Sequence, residues 1–148
     1  MPELNDEVYA EMKAACSYGD FLVRQGKYEE SVEQYDRAWR LLPSPAEQWD
    51  AATWILAAKG DALFKARRYV DARQQLALAL GCPDGLGNPF IHLRLGEALY
   101  ELGEESQALD NLARAYMGGG REIFATEPPK YFEAIKKVML PPPGHDSL

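Results

Sequence analysis

Three glycines, Gly19, Gly60 and Gly96, each begin the same phrase. The stretches read SYGDFLVRQGKYEESVEQYDRAWRLLP, AKGDALFKARRYVDARQQLALALGCP and RLGEALYELGEESQALDNLARAYMGG. An acid follows each glycine, and an apolar residue (Leu22, Leu63, Leu99) lies three positions beyond it. Tyr28, Tyr69 or Glu105 comes nine residues after the glycine. Small residues follow at Ser31, Ala72 and Ala108 and again at Ala38, Ala79 and Ala115, with Tyr35, Leu76 and Leu112 between them. A period in this size range marks one supersecondary unit stacked on copies of itself. Glycine and the small positions let two helices approach closely, and the larger residues fill the space between them.

Helix signals place the elements. The spacing predicts helices over about 5–25, 28–41, 45–66, 69–80, 89–102, 105–117 and 129–139. Ser44 is a good N-cap, Pro45 suits the first helical position and Glu47 completes a capping box, so the third helix should begin at Pro45. Asn88 should cap a helix opening at Pro89, after the Gly/Pro-rich connector GCPDGLGNP. Gly118, Gly119 and Gly120 should end the sixth helix. REIFATEPP reads as an ordered connector or a short helical turn. Apolar residues at Tyr131, Phe132, Ile135 and Val138 or Met139 mark one face of a last helix. Strand signals are absent, because alternation is poor and β-branched residues are few.

The repeated phrase resembles the tetratricopeptide repeat (TPR), a pair of antiparallel helices, over about residues 12–120. Pro43 closes the first copy where that family commonly has proline. The spacings of 41 residues from Gly19 to Gly60 and 36 from Gly60 to Gly96 exceed the usual period of about 34. The resemblance implies an all-α fold, a right-handed α-solenoid of three helix-turn-helix repeats at about 12–45, 53–86 and 89–120. A solenoid end needs a cap with a polar outer side, here assigned to 129–139. Residues 1–140 are expected to form a single domain and 141–148 a disordered tail.

The resemblance also implies that the first helix of each pair lines a concave groove. The residues after the glycines then point inward as Asp20, Asp61 and Glu97, followed along the helices by Val23 with Arg24, Phe64 with Lys65, and Tyr100 with Glu101. Six residues before the glycines stand Lys13, Trp54 and Phe90, and Trp49 lies nearby. The expected groove is an acidic stripe beside aromatics. Asp20–Arg24 and Asp61–Lys65 can equally be helical i,i+4 pairs, each worth only about 0.2–0.5 kcal/mol. Repeats that clamp a chaperone's C-terminal carboxylate carry Lys and Asn at the inward sites; Asp, Asp and Glu should repel it.

Chemistry beyond binding finds little support. His92 and His145 are the only histidines, and Cys16 and Cys82 have no Cys or His at ligand spacing, so no metal site or cofactor is expected. The glycine runs follow no strand and lack the lysine of a phosphate loop. The chain is expected not to be an enzyme. Sixteen basic and 23 acidic residues give a net charge of −7, which disfavours nucleic acid and anionic membranes and favours a basic partner. No apolar run approaches the roughly 20 residues that span a bilayer. The N-terminus shows no basic segment followed by an apolar one, so a cytoplasmic location is expected. The expected function is a non-catalytic module binding a protein or peptide, as a monomer or weak homodimer. GNPFIHLRLGEALYELG and AYMGGGREIFATEPPKYFEAIKK look like small repeat proteins found beside polymorphic toxin genes, implying an immunity protein; a secretion chaperone or a general adaptor is the alternative.

Overall fold

The computed structural model describes residues 4–141 and 143–148. Among the described residues there are seven α-helices and no strand. They are α1 (Asp6–Arg24), α2 (Tyr28–Arg40), α3 (Asp50–Lys65), α4 (Tyr69–Leu80), α5 (Pro89–Glu101), α6 (Glu105–Gly119) and α7 (Pro129–Lys136). Short 3₁₀ turns occupy Ala46–Gln48 and Arg121–Phe124. The expected helices match these closely, apart from the third and the last, which ends at Lys136 and not near 139 and leaves Val138 exposed. The chain divides into two compact units, 1–86 and 87–148.

The glycine phrase has one physical cause, repeated in each hairpin. A Cβ added at Gly19 would sit 2.7 Å from Tyr35 Cε1; at Gly60, 2.5 Å from Leu76 Cγ; at Gly96, 2.8 Å from Leu112 Cγ. Each glycine therefore lets the backbone of a first helix lie directly on the large residue of the second. Tyr35, Leu76 and Leu112 are buried, as are the small residues Ser31, Ala72 and Ala108 and Ala38, Ala79 and Ala115.

The turns inside the hairpins also share a design. Gly26, Arg67 and Gly103 all have positive φ (75°, 63° and 79°). The next amide reaches back across the turn: Lys27 N–H to Leu22 O (2.8 Å), Arg68 N–H to Leu63 O (2.8 Å) and Glu104 N–H to Leu99 O (3.0 Å). This is the 6→1 bond of a Schellman-type helix end, which favours glycine in the left-handed position. Arg67 adopts it with a side chain attached.

Besides the end of α7, two further helix ends differ from expectation. No helix begins at Pro45. The chain makes the 3₁₀ turn, then Trp49 is extended (φ −89°, ψ 143°), and α3 starts at Asp50. The cause is the indole, which is buried and donates from Nε1 to Pro43 O (2.8 Å), tucking Trp49 back on the preceding loop. The other concerns Gly118 and Gly119, which lie inside α6. A Cβ on Gly118 would come 2.7 Å from Pro89 Cγ, so they serve contact with the start of α5. Gly120, at φ 70°, is the residue that ends α6.

In unit 1, α1 packs on α2, α2 on α3 and α3 on α4, around Met12, Leu22, Tyr35, Ile55, Leu63 and Leu76. In unit 2, α5 and α6 form the hairpin, and α7 lies against α6 with Tyr131 and Ile135 buried. Asn88 caps α5 as expected, its Oδ1 accepting from the Phe90 and Ile91 amides (3.0 and 3.2 Å). α5 is buried from Ile91 through Leu99, including three polar residues. Of these, His92 is held on both nitrogens. Nε2 accepts from Gly87 N–H (3.0 Å), so Nδ1 carries the proton and donates to Asn111 Oδ1 (2.9 Å). Residues 143–148 carry no regular secondary structure, and the Leu148 side chain is buried.

Candidate partner-binding face

The inward residues of the first helices separate into two groups with different fates. Those of unit 1 share a face. On α1, Lys13, Asp20 and Arg24 recur at helical spacing and all are exposed. On α3, Trp54, Asp61 and Lys65 recur at the same spacing, with Trp54 and Lys65 exposed and Asp61 half-buried, and α1 and α3 touch. Trp54 is 40% exposed, a large aromatic surface left in solvent. Phe64 is half-buried and packs on the Tyr69 ring at 5.4 Å.

Tyr35 holds one of the two carboxylates. Its buried hydroxyl donates to Asp20 Oδ1 (2.6 Å). Burial, then the bond to Asp20, then the charges of Asp20 and Asp61 push this hydroxyl far above its ordinary value, so it stays a donor. Burial, and after it the Asp20 charge, raises the Cys16 thiol to about 11, which keeps it a thiol. Asp61 pairs with Lys65 Nζ at 3.1 Å, the expected i,i+4 contact. Among the described residues Asp20 forms no pair with Arg24, and it accepts from Tyr35. Lys13 Nζ instead lies 5.4 Å from the ring centre of Tyr9, itself 43% exposed. Tyr9 and Tyr35 both belong to this face and were not among the expected residues. Tyr9 could have been found four positions before Lys13, whereas the reach of Tyr35 from α2 to Asp20 has no signature in local spacing.

The acidic stripe requires correction on this face. Asp20 and Asp61 stand with Lys13, Arg24 and Lys65, so the surface is mixed in charge. Trp49 also requires correction: it is buried and hydrogen-bonded to Pro43, and offers nothing to a partner.

In unit 2 the inward residues are mostly spent inside the unit. Glu97 is fully buried and accepts from Arg94 Nη1, so it displays no carboxylate to solvent. Glu101 accepts from Lys130 Nζ and from Tyr131 OH, the latter at 3.0 Å. Tyr100 meets the Tyr131 ring edge-on at 5.3 Å, and Lys130 lies over both rings. Phe90 stays partly exposed with the Arg94 guanidinium 5.4 Å above its ring. α7 thus engages Tyr100 and Glu101, while the Phe90 and Tyr100 rings remain partly exposed. Between α7 and the α5–α6 turn there remains a groove of about 590 Å³, floored by Tyr100, Leu109, Ala134 and Val138.

Among the described residues no group of His, Cys, Asp and Glu could hold a metal ion, and no helix is long and apolar enough to cross a membrane.

No protein-family model and no curated protein matches the chain. Solved structures do match. The Arabidopsis OM64 TPR domain aligns with a TM-score of 0.72 at 15% identity, covering 89% of this chain and 99% of that one. The Yersinia enterocolitica type III secretion chaperone SycD, in complex with a peptide of the translocator YopD, aligns with a TM-score of 0.70 at 15% identity, covering 90% and 95%. The second TPR domain of human RPAP3, in complex with the HSP70 peptide SGPTIEEVD, aligns with a TM-score of 0.67 at 19% identity, covering 88% and 96%. With three glycine-phased hairpins and these matches along nearly its whole length, the chain has the fold of tetratricopeptide-repeat domains.

Proposed function

We propose that the chain is a non-catalytic binding module that holds a segment of one protein partner against the α1–α3 face of unit 1. The observation that carries this is Trp54, a large aromatic exposed on the same helix as Asp61, with the Tyr35-bound Asp20 and the exposed ring of Tyr9 on the contacting α1. Exposed aromatics next to fixed polar groups are the usual anchors of an interface. The partner offers an apolar side chain to Trp54 and Tyr9 and a basic one to Asp20. The net charge of −7 steers a basic partner from a distance, although the face itself is mixed.

The finer reading is an immunity protein, acting in the cytoplasm of a bacterium, that neutralises a cognate toxin. A secretion chaperone is the second reading, favoured by the likeness to SycD with its translocator peptide. The test is capture from the native host with wild-type chain and with Trp54→Ala, a surface change that leaves the core intact. A partner recovered by the wild type and lost by the variant is expected. Equal recovery by both would remove the face from the account. The captured protein then separates the readings: co-expression rescues cells from a toxin, whereas a chaperone's client is an exported protein.

A further inference from the structure

Three ionisable side chains of unit 2 meet out of solvent and take no part in the proposed binding face. Arg94 Nη1, on α5, donates to Glu97 Oε1 (2.5 Å) and to Glu127 Oε1 (2.6 Å). Glu97 is fully buried, and the side chains of Arg94 and Glu127 are 9% and 11% exposed. Both Oε1 atoms accept from that one Nη1, and Glu97 Oε2 is buried with no hydrogen-bond partner among the described residues. One guanidinium balances one buried anion, and a second left ionised would be uncompensated. Glu127 stands between the Arg121–Phe124 turn and the prolines that open α7. The cluster therefore ties the entry to α7 back to the middle of α5.

We propose that Arg94, Glu97 and Glu127 form a proton-dependent latch on α7, closed while one of the two carboxyls carries a proton and loosened when that proton is lost. The proton belongs to Glu97. Burial, then the adjacent Glu127 carboxyl, raises its carboxyl to about 8, against the pull of Arg94. Glu127 is held below the ordinary value, its burial outweighed by the adjacent Glu97 carboxyl and the Arg94 charge.

The other charged groups nearby are engaged elsewhere or exposed. On α5, Glu101 is held by Lys130 and Tyr131. On α6, Asp110 and Arg114 pair in solvent, and Glu105 is exposed. On the 3₁₀ turn Arg121 and Glu122 are exposed, and on α7 Glu133 pairs with Lys136. The charges acting on Glu97 are those of Arg94 and Glu127.

The direction follows from linkage. Unfolded, Glu97 titrates at its ordinary 4.5; folded, at about 8. Its contribution is whole below the lower value and shrinks as pH rises through the upper one. The contribution of Glu127 runs the other way and fades only in acid. The latch is firmest in mild acid and loosens toward alkaline pH.

Native-state hydrogen exchange on the full chain, from pH 5.5 to 9 and corrected for intrinsic rates, reads the latch directly. Protection of the α7 amides should fall at least tenfold from pH 6 to 9, while that of α1 changes less than twofold. Linkage permits up to about tenfold per pH unit inside the window. Glu97→Gln should flatten the α7 profile. Glu127→Gln, which leaves one carboxyl per guanidinium, should move its midpoint down by at least one pH unit and serves alone if the first variant does not fold. A flat wild-type profile for α7, or an unmoved midpoint in Glu127→Gln, would overturn the proposal.

Discussion

Gly60→Ala tests the packing that defines each hairpin. The added methyl would sit 2.5 Å from Leu76 Cγ and 2.7 Å from its Cδ2, whereas carbon contacts are comfortable near 3.5–4.0 Å. Either α3 and α4 part by about an ångström or Leu76 leaves its rotamer. Overpacking of this kind costs about 1–3 kcal/mol. Alanine recovers up to about 1 kcal/mol, because glycine is a poor residue inside a helix. The net loss should be about 1–2 kcal/mol. Leu76→Ala alone should cost about 2–5 kcal/mol, since Leu76 is fully buried. In that background the clash is gone, and Gly60→Ala should become neutral or stabilising by up to about 1 kcal/mol. The cycle therefore predicts a coupling of roughly 2 kcal/mol between the two sites. Urea unfolding followed by far-ultraviolet circular dichroism gives all four stabilities. Additive effects, or a Gly60→Ala protein as stable as wild type, would show that the glycine is not there for Leu76.

Three further outcomes follow from single features. Arg67→Gly relieves a left-handed residue that carries a side chain, and should raise stability by about 0.5–1 kcal/mol in the same unfolding assay. Asn88→Ala removes the cap on two amides of α5 and should cost about 1 kcal/mol, with Asn88→Ser retaining most of it. Ile135→Ala empties a fully buried site beneath α7 and should cost about 2–5 kcal/mol, read as a lower melting temperature; an unchanged melting temperature would mean that α7 contributes little to unit 2.

The fold was legible because its cause is periodic. Gly19, Gly60 and Gly96 each face a large residue on the following helix, and the same contact three times leaves the same spacing three times. The helix ends that could be read were those with local chemistry, such as Asn88 with Pro89. Trp49 defeated the reading of Ser44–Pro45–Glu47 because its indole bonds backward to Pro43, a choice made by burial and invisible to a capping pattern. The face was legible only in part. Periodicity places Asp20, Asp61 and Glu97 at equivalent positions, yet Glu97 is enclosed by Arg94 and by Glu127, thirty residues along the chain. What covers a helix face depends on the path of the next element, and α7 reaches α5 through a connector with no repeat of its own. Tyr35 illustrates the same limit: its spacing marks a packing residue, and its hydroxyl also fixes Asp20.

Hydrogen exchange of the chain alone and with its captured partner measures the central claim most directly, because it reports which helices the partner covers. The account predicts slowed exchange or side-chain footprinting protection on α1 around Tyr9–Arg24 and on α3 around Trp54–Lys65, weakened in Trp54→Ala. Protection confined to α2 and α4, with α1 and α3 unchanged, would contradict it.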